Sequence, residues 1–309
     1  MANKTWMKEA VIVVMAVIAL SGCESKEQKA EKARIAAEQK AREELTAAFA
    51  SLDASAIAEY TNTLSPEIIV AVLKDADPKA VTLVLNNASP ALVKTLVQAM
   101  PTPASDFSYG QTADRKGIVI TGYTGKGGAV LIPPTIDDLP VLEIGRTAGD
   151  WYGAFQGRTS GSWTSAAYIT SIVIPDSVKI IRREAFMDAA NITSLVIPDS
   201  VESIGDGAFR SMTKLTRLTL PDGLKVIPEI AFELCNKLIS INLPASIESI
   251  GGEAFGSCRE LNDLIIPDSI TSIRFIRLYG RDGNAFIGCQ KLPIRTRQRL
   301  QELGYRGEF

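Results

Sequence analysis

A unit of 23 residues recurs through the carboxy-terminal two-thirds of this 309-residue chain. Its most regular mark is a proline that returns at intervals of 23 residues, and an Ala-Phe pair keeps the same interval. A fixed period of this length is the signature of a solenoid, because one unit cannot bury its own apolar face and must stack on its neighbours. The prolines are Pro175, Pro198, Pro221, Pro244 and Pro267, and the phenylalanines are Phe186, Phe209, Phe232 and Phe255, with Phe286 after an eight-residue insertion.

The unit reads as two short strands joined by a turn. In one unit, Leu195 and Ile197 flank Val196, so a short strand would point both core residues inward and Val196 outward. The next residue is the proline, which ends the strand because it has no N–H for the ladder. Asp199-Ser200 then supplies turn chemistry, and a second apolar pair returns the chain across the core. We expect the Ala-Phe pair to lie on a short helix or helical turn, with the ring inside.

The string from Ile197 to Phe209, IPDSVESIGDGAF, resembles the BspA-like class of leucine-rich repeat. Five consecutive units match it, and the segment from Gly117 to Gly145 resembles the cap that precedes such arrays. The resemblance covers residues 107–309 and implies an α/β repeat solenoid of 23-residue leucine-rich units, with caps at 107–145 and 290–309. In that family the known roles are surface exposure, adhesion to host or matrix proteins and association with other bacteria. The chain departs from the pattern at insertions near 145–154, 157–168 and 274–284.

The amino terminus looks like an export signal. Lys4 and Lys8 precede an apolar run from Ala10 to Leu20, which at about 1.5 Å per residue is too short to cross a hydrocarbon core about 30 Å thick. The tetrapeptide Leu20-Ser21-Gly22-Cys23 resembles a bacterial lipobox, which implies removal of residues 1–22 and attachment of lipid to Cys23. The resemblance predicts a chain held to a membrane by its lipid, in the outer membrane and on the cell surface rather than the periplasmic face. The alternative is an ordinary export signal with a coincidental cysteine.

Two helical segments separate this signal from the repeats. Residues 23–51 are rich in strong helix formers with few apolar anchors, which predicts a solvated α-helical stalk about 40 Å long. A coiled coil with a partner is the alternative, although heptad anchors are few. Between residues 52 and 103 a helix-capping residue precedes a proline every 12 residues, at Ser65-Pro66, Asp77-Pro78 and Ser89-Pro90. We therefore expect a small array of four short helices, which serves as a spacer or as a protein-docking module.

The composition excludes several chemistries. The chain has no histidine, so a Ser-His-Asp triad, an HExxH zinc site and a Cys₂His₂ zinc site are impossible. Lysine and arginine total 33 against 35 aspartates and glutamates, so the charge of −2 gives no basic excess for nucleic acid. The glycine-rich segment from Gly122 to Gly128 lacks the Gly-Lys-Ser/Thr of a phosphate loop and predicts a hairpin turn. We expect no enzyme activity, cofactor, metal ion or nucleic-acid partner.

Three cysteines occupy one position of the repeat. Cys235, Cys258 and Cys289 each follow the repeat phenylalanine by three residues, where earlier units have Ala189 and Met212. A position shared with alanine and methionine belongs to the core, so we expect buried structural thiols. Neighbouring rungs would bring Cys235 and Cys258 close together, and a disulfide between them is the alternative in an oxidising compartment.

One surface is the candidate binding face. On the first strand, the residue between the two core positions points outward, as does the residue two places before it. Stacked units therefore form a flat strip of mixed polarity, the usual binding surface of a solenoid, and the alternative is an ordinary solvated sheet face. The two columns are Val173, Val196, Thr219, Asn242 and Ile265, and Ser171, Ser194, Arg217, Ser240 and Asp263. Aromatic residues on the inserted segments are further candidates for partner contacts, unless they cap the core: Trp151, Tyr152, Trp163, Tyr168 and Tyr279.

Together these features predict a lipid-anchored protein of the bacterial cell envelope that binds a protein or glycan ligand through its repeat face, with adhesion as the leading version. The alternative is a structural periplasmic component without an extracellular ligand. An enzyme is the least favoured of the three.

Overall fold

The computed structural model describes residues 26–51, 53–74, 76–146, 153–159, 162–273, 276–278 and 281–309, with the backbone alone at 78, 90, 158–159, 162–163, 276–278 and 281–282. The predicted signal peptide and Cys23 lie outside these residues. The described chain consists of amino-terminal helices followed by a solenoid of short strands, which confirms the predicted fold. None of the described helices combines the length and apolar character needed to cross a membrane.

The amino-terminal helices begin at the capped prolines. α1 spans Lys26–Ser51 and is followed by α2 Ala54–Thr63, α3 Pro66–Leu73, α4 Pro78–Asn87 and α5 Pro90–Ala99. The side chain of Asp77 accepts a hydrogen bond from the backbone N–H of Lys79, and that of Ser89 accepts one from Leu92. Proline occupies the first position of α3, α4 and α5, where its missing N–H costs no helical bond.

The helical array, α2 to α5 with the end of α1, has an apolar core of its own. Leu45 and Phe49 from the last two turns of α1 pack with Ile57 of α2, Ile69 of α3 and Leu96 of α5. The earlier turns of α1 are largely exposed. Because these helices are short, their stability comes from this shared core rather than from helix propensity.

Short strands build the rest of the described chain. They are β1 Phe107–Gln111, β2 Ile118–Tyr123, β3 Gly128–Leu131, β4 Thr135–Ile136, β5 Leu139–Ile144, β6 Arg158–Thr159, β7 Ser162–Trp163, β8 Ile169–Val173, β9 Ile180–Ile181, β10 Ser194–Val196, β11 Ser203–Ile204, β12 Arg217–Thr219, β13 Val226–Ile227, β14 Ser240–Asn242, β15 Ser249–Ile250, β16 Asp263–Ile265, β17 Ser272–Ile273, β18 Ile276–Leu278 and β19 Arg281–Gly283.

Each rung has two strand sides and one side made of turns. On the first side, β10, β12, β14 and β16 form a parallel sheet in which residues 23 positions apart are paired. The parallel pair β3–β8 continues this side, with β8 beside β10. On the second side, β1, β2, β5, β9 and β11 lie in one sheet, and β13, β15 and β17 lie in another. The repeat period therefore sets the strand register directly.

Turns without a helix form the third side, where the sequence predicts a short helix or a helical turn. In four successive units, two residues there have a left-handed backbone, for example Ile230 with φ 50° and Leu234 with φ 63°. Alternate N–H groups donate to the next rung, as from Phe209 to the carbonyl oxygen of Ala231 at 3.0 Å. A helix would use these N–H groups within its own unit. The turns instead let the third side hydrogen-bond along the solenoid, as the two strand sides do.

The repeat phenylalanines stack inside the third side. Their rings are fully buried, and the centroids of neighbouring rings are 5.1 to 5.5 Å apart. The stack begins one rung before the regular repeats, because Ala154-Phe155 occupies the same place. Its members are Phe155, Phe186, Phe209, Phe232, Phe255 and Phe286.

Serines two residues after the repeat proline link two of the rungs to the rung before them. Ser200 Oγ donates to the carbonyl oxygen of Val178 at 2.8 Å, and Ser246 Oγ donates to that of Leu224 at 2.6 Å. These side chains satisfy backbone carbonyls of the neighbouring unit, so the two serines do more than cap their own turns.

Both ends of the stack are covered by aromatic residues. At the amino-terminal end, the rings of Phe107 and Tyr123 lie 6.2 and 5.8 Å from that of Phe155. At the other end, α6 (Ile294–Glu302) packs across the last rung, and the ring of Tyr305 lies edge-on to Phe286 at 5.9 Å. Caps of this kind keep water from the apolar core at the two ends of the solenoid.

The helical array packs against the first strands of the solenoid. α4 lies over β3 and β8, where Leu131 is buried in the core of the array and Val173 packs against it. The hydroxyl oxygens of Thr82 on α4 and Thr170 on β8 are hydrogen-bonded at 2.8 Å. The N–H of Thr102, in the connection to β1, donates to the carbonyl oxygen of Leu131 at 2.8 Å. The array is thus fixed to one end of the outward sheet face.

Candidate binding face

Four outward residues form one row across the parallel sheet of β10, β12, β14 and β16. Val196, Thr219, Asn242 and Ile265 are paired in register on neighbouring strands, and we call this row the open strip. Val196 is 60% exposed and Ile265 is 62% exposed. Within the described residues, the side chains of Thr219 and Asn242 make no hydrogen bond. The open strip therefore offers apolar contacts at its ends and free hydrogen-bonding groups between them.

A second row runs beside the open strip and carries charge. Ser194, Arg217, Ser240 and Asp263 are paired in register on the same four strands. Arg217 is exposed and has no ion pair or hydrogen bond among the described residues. Asp263 lies two strands away, which is about 10 Å at the usual strand spacing. Positive charge therefore lies near the middle of the face and negative charge at its last strand.

The face begins later than the sequence predicts, because α4 covers its first strands. Ser171 is only 3% exposed, and its hydroxyl has no hydrogen-bond partner. Val173 is half-buried against the helical array. Both residues belong to the predicted columns, but they lie under the array. The accessible part therefore starts at Ser194 and Val196.

A groove of about 450 Å³ separates the array from this accessible part. The carboxy-terminal end of α4 forms one wall, and three neighbouring rungs form the floor. Arg217 is the one charged side chain of the lining, and Ile239, which is 46% exposed, is the largest apolar one. The lining consists of Asn86, Asn87, Thr193, Ser194, Thr216, Arg217, Ile239 and Ser240.

The predicted aromatic contacts are mostly beyond what the structure describes. Tyr168 precedes β8 and is 61% exposed, so it could touch a partner and does not cap the core. Trp163 lies on β7, whose side chains are not described. Trp151, Tyr152 and Tyr279 lie outside the described residues.

The repeat cysteines are buried free thiols. Each donates to the carbonyl oxygen of a phenylalanine in the preceding rung: Cys235 to Phe209 at 3.3 Å and Cys258 to Phe232 at 3.2 Å. Burial raises the pKa of Cys235 to about 12 and holds that of Cys258 well above its usual value, so both remain neutral. Within the described residues, no cluster of cysteine and carboxylate side chains is arranged to hold a metal ion.

The wall made by α4 is a feature that the repeat pattern does not predict. A signal for it was present, because Val130, Leu131 and Ile132 are consecutive apolar residues at a strand. An unbroken apolar run in a strand indicates that both faces of the sheet are covered there. All three are buried, with Leu131 facing the array.

Comparison with known proteins places the repeats in a known class. A family model described as the BspA type leucine rich repeat region matches residues 160–293 in six copies. The chain is similar to the solved leucine rich repeat protein of T. pallidum, with 33% identity, 68% of this chain and 98% of that chain covered, and a TM-score of 0.52. None of the curated proteins matches the chain.

Two further solved structures are less similar. A leucine-rich repeat protein from Bacteroides ovatus ATCC 8483 is 26% identical, with a TM-score of 0.35. The match covers 56% of this chain and 55% of that protein's chain. A leucine rich cell surface protein from Faecalibacterium prausnitzii A2-165 is 24% identical, with a TM-score of 0.44. The match covers 63% of this chain and 53% of that protein's chain. The chain spans about half the length of each of these two.

Proposed function

We propose that this chain, which belongs to the BspA type leucine-rich repeat family, is a binding protein of the bacterial cell envelope that holds a protein or glycan ligand on its open strip. Proteins of this family are typically binding proteins rather than enzymes. Adhesion at the cell surface is the version of this function that the family resemblance favours.

The observation that supports the proposal is the exposure of the open strip. Val196 and Ile265 are large apolar side chains that stay more than half exposed, although the same repeat position is polar in the two units between them. The hydroxyl of Thr219 and the amide of Asn242 have no hydrogen-bond partner among the described residues. An exposed row of apolar and unpaired polar groups on a rigid sheet is typical of a protein interaction surface.

The lipid anchor is part of the same proposal. Cys23 ends a lipobox-like tetrapeptide, and α1, beginning at Lys26, would then extend from the membrane. At about 1.5 Å per residue its 26 residues span about 39 Å. This helix would hold the binding face away from the lipid surface. We place the lipid in the outer membrane and the chain on the outer side of the cell.

A charge-substitution variant tests the binding face. Val196→Glu, Thr219→Glu and Asn242→Glu combined should weaken adhesion of the full chain to an immobilised extracellular-matrix extract, without lowering the melting temperature. The matched control adds the same charge to the second side, through Ser203→Glu, Val226→Glu and Ser272→Glu, which are also exposed. Equal adhesion of the two variants would count against the open strip as the binding surface.

Protease shaving of intact cells separates the proposal from its alternative. A surface-exposed chain is degraded when protease is added outside the cell, whereas a structural component of the periplasm is protected until the outer membrane is opened. Protection in intact cells would favour the structural periplasmic role.

A further inference from the structure

We infer that the groove between the end of α4 and the accessible face receives an extended acidic segment of a partner protein, with one of its carboxylates bound by Arg217. The inference rests on the proposed binding function and names the chemistry of the partner. Its basis is the arrangement of donors on the floor of the groove and acceptors on its wall.

The floor of the groove has one positive side chain and the hydroxyl groups of serine and threonine. Arg217 is exposed and has no carboxylate partner among the described residues, and no acidic side chain lines the groove. Lys214 and Lys237 are exposed on the same two rungs but lie outside the lining, where Lys214 Nζ donates to Asn191 Oδ1 at 2.7 Å and Lys237 interacts with Glu260. An arginine next to hydroxyl donors binds a carboxylate in a fork geometry that also fixes its orientation.

The wall of the groove supplies the acceptors that a peptide backbone needs. α4 ends at Asn87, and no backbone N–H of the described residues beyond the helix bonds to the carbonyls of Asn86 and Asn87, which line the groove. The last four carbonyls of a helix lack intrahelical partners, so they can accept N–H groups of an extended chain. Asn86 adds a side-chain amide that both donates and accepts.

This polarity selects the partner. A carboxylate is favoured on the strand side, where Arg217 lies, and backbone N–H groups are favoured on the helix side, where the open carbonyls carry partial negative charge. An extended peptide has both features along one edge. Sugar rings usually stack on aromatic side chains, and the described lining has none. The volume of about 450 Å³ is that of a site for a few residues.

Fluorescence anisotropy with defined probes tests the inference. The full chain, extracted in detergent, is titrated with a labelled peptide of alternating glutamate and serine, with a lysine-serine peptide, and with an oligogalacturonate as an acidic glycan. We expect binding of the glutamate peptide that weakens with salt, and about a tenfold loss of its affinity in Arg217→Ser, since one charge-assisted contact is removed. Ser194→Glu, which adds a carboxylate to the floor, should weaken binding at least as much.

Arg306→Ser is the matched control, because it removes the same charge from an exposed arginine in the carboxy-terminal tail. Circular dichroism establishes that each variant is folded. Equal losses in Arg217→Ser and Arg306→Ser, or binding of the oligogalacturonate in preference to the glutamate peptide, would overturn the inference. If Arg217→Ser leaves peptide binding unchanged while charge substitution of the open strip still abolishes adhesion, the acidic partner is wrong and the binding function stands.

Discussion

The ring of Phe232 lies 5.5 Å from the ring of Phe209, with the two planes only 6° apart. Both rings are fully buried. The ring of Phe209 also stacks on that of Phe186, and the ring of Phe232 also stacks on that of Phe255. One phenylalanine therefore contributes to three rungs at once. In a solenoid whose stability comes from contacts between neighbours, this stack couples the units into one cooperative structure.

Phe209→Ala should lower the free energy of unfolding by about 3 to 5 kcal/mol, because it leaves a cavity in the middle of the stack. Urea denaturation followed by circular dichroism measures the change. The control is Phe309→Ala, which removes a partly exposed ring at the end of the chain and should cost much less. Similar costs for the two variants would show that the stack has no special role.

Gly223→Ser should stabilise the chain by about 1 kcal/mol. Gly223 occupies the repeat position of Ser200 and Ser246, whose hydroxyls bond to the preceding rung, and a Cβ added there meets nothing within 4 Å. The new hydroxyl is expected to reach the carbonyl oxygen of Val201. Serine can stabilise the chain in two ways, by reducing the freedom of the unfolded backbone and by adding a hydrogen bond. Gly223→Ala separates them, because alanine has the first effect without the second. If serine is no better than alanine, the hydrogen bond contributes nothing.

The buried thiol of Cys235 should make the free energy of unfolding decrease as the pH rises into the alkaline range. Its pKa is raised from near 9 to about 12 in the folded chain, so the unfolded state loses this proton first as the pH rises. The free energy of unfolding should therefore fall above pH 9, by about 1.4 kcal/mol per pH unit for this one thiol, until the folded pKa is reached. Chemical denaturation at a series of pH values measures the slope. Cys235→Ala, which copies the residue of an earlier unit, should have a smaller slope, and an unchanged slope would contradict the assignment.

Leu131→Asp should release the helical array from the sheet. Leu131 is 3% exposed and packs in the core of the array, so a carboxylate there would be buried without a partner, at a cost of about 3 kcal/mol. Hydrogen exchange of α4 should accelerate, while exchange of β12 and β14 stays slow. Val196→Asp introduces the same carboxylate at an exposed outward position, and the backbone amides of α4 should remain protected from hydrogen exchange in this variant. Slow exchange of α4 in both variants would mean that the array is held by other contacts.

Replacement of Cys23 should abolish lipid attachment. Cells grown with an alkyne fatty acid are expected to label the full chain but not Cys23→Ser, which should also lose its association with the membrane fraction. Cys235→Ala is the control, because it removes a thiol that is buried in the repeats. Labelling that persists in Cys23→Ser would rule out the lipobox.

The sequence predicts the solenoid well because its period is a property of every unit. Strand position, register and the burial of Phe209 all follow from which residues recur at 23-residue intervals. The turn side was less predictable: Ile230 and Leu234 adopt left-handed backbone conformations that their side chains disfavour, so neither residue signals a turn. Hydrogen bonds to the next rung, rather than local preference, hold that conformation.

The candidate site was predicted only in part. Val173 and Val196 are equivalent in the repeat, yet one lies under the helical array and the other is open. A repeat pattern gives both the same expected environment, because the difference depends on where a separate segment docks. Likewise, Arg217 was expected on the face, but its place on the floor of a groove depends on α4.

The open strip lies between the helical array and α6, and its four strands recur at intervals of 23 residues. Duplication or loss of one unit in the gene would move the array and α6 apart or together by about 4.8 Å, the spacing of one strand, and would leave both of them intact. The reach of the surface is therefore a heritable length that changes in whole steps. Populations of cells could differ in it without any change of fold.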